Sequence, residues 1–301
     1  MRDDKLQSHL QIHLLVFIAG FTGILGEIIS ISAVNLVWFR MIMAVGFMYA
    51  YAKYKQIPLK VPPKSMLKFG LAGVIIASHW ITFFASIKTS NISIALAMFS
   101  TGAFFASFVE PIIFKRRIIG YEIILGLIVF IGIYLITASS FEYLTGILLG
   151  ILSALLSTIF AVLNGRHVLR YDPTVLSIYE FIAGVLFITF WILIFDTGFS
   201  SDFFDIGLSN YLYLIILASV CTAYAFISAV AVMKHLSPFT VVLSYNLEPV
   251  YGIVLAVLFF PSNEKMSLPF YIGAVIILLT VVANAILKRK YRIKAKAISG
   301  L

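Results

Sequence analysis

Residues 66–114 read MLKFGLAGVIIASHWITFFASIKTSNISIALAMFSTGAFFASFVEPIIF. Two apolar stretches, Met66–Ile87 and Asn91–Phe114, flank a polar break at Lys88-Thr89-Ser90. Each is long enough, at about 1.5 Å of rise per residue, to carry a helix through the ~30 Å hydrocarbon core of a bilayer. Neither shows the short alternating segments of a transmembrane barrel strand. The stretch therefore reads as a helical hairpin across a membrane.

The same pattern recurs outward along the chain. Apolar runs at Gln11–Ser30, Asn35–Ala52, Tyr121–Ala138, Thr145–Leu163, Thr174–Phe195, Asn210–Met233, Pro238–Phe260 and Leu268–Leu287 bring the expected total to ten spans. The first is read as a span and not as a cleaved signal, since no convincing small-residue cleavage site follows it. The connections are short, and the longest, from Lys53 to Ser65, carries Pro58, Pro62 and Pro63, which stop a helix. Composition agrees: of 301 residues, 61% are hydrophobic and 12% charged, against roughly 25% charged in soluble proteins. A net charge of +9 would suggest nucleic acid in a soluble domain. Here the basic residues sit between apolar stretches, where they orient helices. With the N-terminus in the cytoplasm, 19 of the 22 basic residues fall in cytoplasmic segments and only Lys88 and Lys265 on the far side, with Arg40 inside a span. That bias puts both termini in the cytoplasm and requires an even number of spans. The single cysteine, Cys221, excludes an intrachain disulfide and a multi-cysteine metal site.

The two halves resemble each other. Span three ends Ser86-Ile87-Lys88 and span eight ends Val232-Met233-Lys234, each followed by a polar break and another apolar run. Five helices repeated means that the second copy enters the membrane inverted, as in secondary transporters whose substrate site lies near the midplane between the halves. The expected fold class is thus an all-α membrane protein of ten transmembrane helices in two inverted five-helix repeats, residues 1–140 and residues 141–301, the second with a basic tail. The pairs Glu110-Pro111 and Glu248-Pro249 are not equivalents. The lysines are offset by 146 positions, which sets Gly102 and not Glu110 opposite Glu248.

A ten-helix chain of this length, with lysine-ended third and eighth helices and the stretch from Lys234-His235-Leu236-Ser237-Pro238 to Ser244-Tyr245-Asn246-Leu247-Glu248-Pro249, resembles the EamA-type carriers of the drug/metabolite transporter superfamily. The resemblance covers essentially the whole chain. It implies a basket-like bundle that moves small organic molecules, often metabolites or amino acids outward.

Ionisable side chains inside spans cost about 2.5–3.5 kcal/mol on insertion scales, so each needs a reason. Glu248 stands near the midplane, shares a helix face with Tyr245 and Gly252, and precedes Pro249, which leaves the Tyr245 carbonyl without its helical donor. It reads as a substrate or proton site, or as a neutral acid at a structural kink. His79 and Trp80 read as cavity residues, or His79 as a donor to a carbonyl across the bundle. Glu27 and Arg40 fall in the same outer third and suit an ion pair or a gate, unless Arg40 snorkels beside Trp38; Glu27 also counts, with Asn164, among the candidate substrate-binding residues. Glu110, Asn164 and Glu180 share an inner depth, where gating competes with an interfacial position near Arg166 or Arg170. Tyr224 lies with Cys221 and Ser228 on one face of span eight and is assigned to the cavity, with core packing as the alternative. The stripe Gly146, Gly150, Ala154 and Thr158 is a close-packing surface.

These readings converge on a secondary transporter for amino acids, amines or related metabolites, moved outward across the cytoplasmic (inner) membrane by alternating access. No basic pair near the midplane is available to clamp a phosphate or dicarboxylate. The expected partners are a small organic solute and the lipid bilayer, with no nucleic acid; a homo-dimer is compatible with the sequence. No cofactor and no metal are expected, since no nucleotide-binding fingerprint and no clustered ligand set is present. An enzyme is disfavoured on the same ground, while a channel or lipid-moving protein stays open as the alternative.

Overall fold

The computed structural model describes residues 2–115, 120–168, 170–196, 198–232, 236, 244–245 and 247–299. Among them there are helices and no strands. In chain order these are α1 (Arg2–Ile28), α2 (Ala33–Tyr54), α3 (Pro63–Thr89), α4 (Ile92–Phe99), α5 (Gly102–Phe114), α6 (Gly120–Ser139), α7 (Leu144–His167), α8 (Pro173–Phe195), α9 (Ser201–Phe204), α10 (Leu208–Ala218), α11 (Ala225–Val232), α12 (Glu248–Phe259) and α13 (Leu268–Ser299). A 3-10 turn, Phe141–Tyr143, precedes α7, and a π turn, Ser219–Tyr224, joins α10 to α11.

Helix starts follow local chemistry. Ser32, Asn91 and Asp172 each accept a backbone N–H two or three residues on, at 3.2, 2.9 and 2.8 Å. Pro63 and Pro173 occupy first turns, where a missing N–H costs nothing. Between α4 and α5 the span pauses at Ser100-Thr101, whose hydroxyls donate to the carbonyls of Ala97 and Met98 at 2.5 and 2.6 Å.

Eight helical stretches are long and apolar enough to cross a membrane, joined by two shorter apolar helices, Glu248–Phe259 and Leu268–Asn284. The expected ten full spans are not reached among the described residues, and much of the start of the expected ninth span, residues 238–243 and 246, lies outside them. Leu127, Phe130 and Tyr134 of α6 and Leu186, Phe190 and Leu193 of α8 are exposed. A surface so apolar suits lipid and not water, and the chain is a multi-pass membrane protein.

Packing crosses between the first and second halves almost everywhere. Helix α3 lies on α7 and α8, α2 on α8 and α10, α1 on α12 and α11, α4 on α7 and α12, and α6 on α13. Several crossings bring backbone against backbone, among them α6 on α13, where a Cβ on Gly273 would stand 2.7 Å from the Gly132 carbonyl oxygen. A Cβ on Gly73 of α3 would stand 2.1 Å from the Glu180 carbonyl oxygen of α8, and one on Gly20 of α1 would stand 3.2 Å from the Gly252 nitrogen of α12. The stripe on α7 packs as its small residues predict: Gly146 meets Ser86 and Ser90, Gly150 meets Met98, and Thr158 donates to the Gly102 carbonyl at 3.1 Å.

Candidate functional site

One end of the bundle, which Lys88 marks, is tied together by polar contacts. Lys88 Nζ donates to the carbonyls of Ile29 and Glu27, so it caps the end of α1 and not only its own helix. The buried Glu264 accepts from the Ile92 and Ser93 amides, both at 2.9 Å, and with Asn91 satisfies the first turn of α4. Asn91 Nδ2 in turn donates to the Asn263 carbonyl at 3.4 Å. Asn210 accepts from the Ser30 amide at 3.0 Å and donates to its hydroxyl at 3.1 Å. Beside these ties lies a polar cavity of about 420 Å³, lined in part by Glu27, Asn91, Glu142 and Lys265.

Further into the bundle, side chains of both halves meet around Arg40. Its guanidinium is buried, with the central carbon 3.9 Å from the Trp80 ring centroid and 5.5 Å from that of Phe84, a cation–π seat. Nε donates to Thr222 Oγ1 at 2.7 Å. Thr222 Oγ1 donates to the Leu217 carbonyl five residues back, also at 2.7 Å, across the π turn. Arg40 Nη1 is enclosed and has no acceptor among the described residues. Glu248, half-buried at the start of α12, is close enough for its charge to act on Arg40. Cys221 and His79 also lie within electrostatic reach of Arg40, and Tyr245 within reach of Glu248.

Trp80 is fixed from its other side by Phe181, edge to face at 5.2 Å. His79 Nδ1 lies 3.0 Å from the Ser153 carbonyl oxygen, which only accepts, so this nitrogen carries the proton and donates. Ser153 Oγ, 2.9 Å from the same nitrogen, is free to donate to the His79 carbonyl at 3.3 Å. The ring stacks on Phe99 at 5.4 Å. His79 thus ties α3 to α7.

Several expectations change. Arg40 does not pair with Glu27 and does not snorkel beside Trp38. It turns inward onto Trp80 and Thr222, while the charges acting on Glu27 are Lys88 and Glu264. Trp38 instead donates to Thr189 at 2.9 Å within a cluster of Phe39, Phe199 and Phe203. Tyr224 is 45% exposed, in line with exposed Leu212, Ile216 and Val220, and not on the face that Thr222 turns to Arg40. The π turn inserts an extra residue and shifts the phase of the helix, which separates Tyr224 from the cavity face expected for it. Pro249 falls in the first turn of α12 and does not interrupt a described helix.

Asn164 Nδ2 donates to Glu180 Oε2 at 3.2 Å, and both residues are buried, each with one oxygen lacking a partner among the described residues. Glu110 is half-buried on α5. The Arg166 side chain, with Lys234, His235, Pro238 and Asn246, lies outside the described residues. Sequence reasoning missed Thr222, Ser153 and Glu264. Only Glu264 carried a signal, as an acid in a loop next to an expected helix start.

Residues 7–138 and 144–286 each match the family described as the EamA-like transporter family. No curated protein matches the chain. Among solved structures, one crystal structure superposes with a TM-score of 0.65 at 14% identity, covering 94% of this chain and 98% of the other. At that identity the likeness is one of fold.

Proposed function

From the premise that the chain belongs to the EamA-like transporter family, we propose that it is a secondary transporter of small organic solutes, namely amino acids, amines or related metabolites. Flux runs outward across the cytoplasmic membrane by alternating access. The family is one of transporters, and the finer reading rests on one observation. A half-buried carboxylate, Glu248 on α12 in the second matched segment, lies within electrostatic reach of a buried guanidinium, Arg40 on α2 in the first. Charges inside a membrane protein mark substrate or ion pathways.

Ten spans in two inverted repeats, 1–140 and 141–301, underlie the mechanism. The pairings support this arrangement. Helices α2 with α8, and α6 with α13, are mates under an exchange of halves, and the α3–α7 contact has its image in α1 against α11. The excess of basic residues puts both termini in the cytoplasm, so the Lys88 end faces outward. In the present arrangement that end is held by Lys88, Glu264 and Asn210, and alternating access requires those ties to break and re-form. Glu248 and Tyr245 contact solute, Trp80 supports Arg40, and His79 braces the bundle. Glu27 belongs to the outer gate, while Asn164, Glu180 and Glu110 belong to the inner half.

The test is efflux of labelled amino acids and amines from proteoliposomes, comparing wild type with Glu248→Gln. Saturable efflux through wild type that the substitution abolishes, or uncouples from pH, supports the carrier and its central carboxylate. Flux that does not saturate with solute identifies a channel instead.

A further inference from the structure

We propose that Glu180 of α8 and Asn164 of α7 hold one proton between them as an acid–amide pair, and that this pair is a latch between the two helices that releases when the proton leaves. Proton binding by the pair stands apart from the carrier reading above and is tested on the protein without solute.

The pair is one donor short. Asn164 donates from Nδ2 to Glu180 Oε2 at 3.2 Å. Glu180 is fully buried and Asn164 is 8% exposed. Glu180 Oε1 and Asn164 Oδ1 are both enclosed, and neither has a hydrogen-bond partner among the described residues. Two enclosed acceptors without donors are costly. A carboxylic acid and a primary amide close a ring through one N–H···O and one O–H···O bond, so a single proton on Oε1 satisfies both oxygens at once. An ionised carboxylate leaves both unmet and adds a buried charge, which is the costlier state. Turning the Asn164 amide over changes which carboxyl oxygen carries the proton and not the need for it.

Among the described residues no cation takes the place of the proton. On α2, Arg40 is seated on Trp80 and Thr222, and Lys53 and the tyrosines are exposed. On α3, His79 is held by Ser153 and Phe99, and the lysines are exposed. On α7 the His167 ring lies against Phe69, and the Arg166 side chain lies outside the described residues. Helix α11 carries no titratable residue.

Position makes the pair a latch. Asn164 lies in the last turn of α7 and Glu180 two turns into α8, on either side of a connection that Asp172 caps. The Glu180 carbonyl oxygen lies against Gly73 of α3, so the side chain ties α7 to a helix already pressed on α3. When water reaches the pair, the proton passes from Oε1 to water, and the carboxylate left behind has no O–H to give Asn164. The closed form thus holds one more proton than the open form. Closure is favoured at low pH and lost as pH rises.

The test uses the full-length protein in lipid nanodiscs. The infrared difference between wild type and Glu180→Gln should show a protonated-carboxyl band at neutral pH, and that band should shift in Asn164→Leu, where the acid loses its amide partner. Hydrogen exchange of peptides spanning Phe160 to Glu180, read by mass spectrometry, follows the latch. The amide of Glu180→Gln can give and accept the same two bonds without a titrating proton. Relative to that variant, wild-type exchange should rise by up to about tenfold per pH unit, the slope for one proton, and Asn164→Leu should exchange faster than both at low pH. Gel filtration reports folding, and if one variant fails to fold, the comparison of wild type with the other decides. Absence of a protonated band from Glu180 at neutral pH overturns the proton site. A protonated Glu180 with exchange that runs parallel to Glu180→Gln at every pH overturns the latch. Neither result bears on whether the chain carries solute.

Discussion

Gly73→Ala is the sharpest test of how the two halves are held together. The new methyl would lie 2.1 Å from the Glu180 carbonyl oxygen, 2.9 Å from its carbon and 3.0 Å from the Ala183 Cβ. The first two are backbone atoms, so no rotamer change relieves the contact, and α3 and α8 must part by about 1 Å to restore ordinary separation. Overpacking of this kind costs about 1–3 kcal/mol, while replacing a mid-helix glycine returns about 0.5–1 kcal/mol. The net expectation is a loss of about 1–2 kcal/mol. Gly70, one turn earlier on the same helix, has nothing within 4 Å of its would-be Cβ, so Gly70→Ala should be neutral or gain about 0.5–1 kcal/mol. Reversible unfolding in mixed micelles titrated with SDS, followed by tryptophan fluorescence, compares the two directly. The expected gap between them is about 2 kcal/mol. Equal stabilities would refute the close α3–α8 crossing.

Other outcomes follow from the same geometry. A Cβ on Gly252 would meet the Leu96 Cδ1 methyl, the far end of a flexible side chain, so Gly252→Ala should cost less than about 1.5 kcal/mol. Leu96→Ala should absorb that cost in a double-mutant cycle measured in the same micelles. Glu264→Gln keeps one acceptor for the α4 amides and loses the charge, with an expected loss of about 1 kcal/mol in the same titration. Thr222→Val removes the acceptor of Arg40 Nε and should lower stability by about 1–3 kcal/mol, whereas Thr222→Ser should leave it within about 0.5 kcal/mol of wild type. If Val and Ser behave alike, the Arg40–Thr222 bond has no energetic weight.

The membrane class was plain in the sequence because span length and the placement of basic residues depend only on the bilayer. Small-residue stripes were legible for the same kind of reason: Gly146 and Gly150 admit close neighbours whichever helix supplies them. The site was harder. Arg40 reads as an outer-third residue on a helical wheel, and nothing in its own segment signals that Trp80 and Thr222 draw it inward. Those partners stand 40 and 182 positions away, a separation over which periodicity carries no information. Tyr224 was misassigned because a straight α-helix was assumed through Ser219–Tyr224, and a wide turn leaves no signature in apolar spacing. Glu248 became a candidate from its cost, its depth and the proline after it, since a carboxylate in an apolar run demands an explanation whatever surrounds it.

The capping of α4 by Glu264 makes the start of that helix conditional on a loop 171 and 172 positions away. When the loop withdraws, the Ile92 and Ser93 amides lose their acceptor together, and buried donors without acceptors do not persist. The Lys88 end therefore cannot part dry. In the alternating access proposed above, hydration would have to advance as the carboxylate retreats, so opening on that side would be timed by the entry of water and not by the sliding of helices alone.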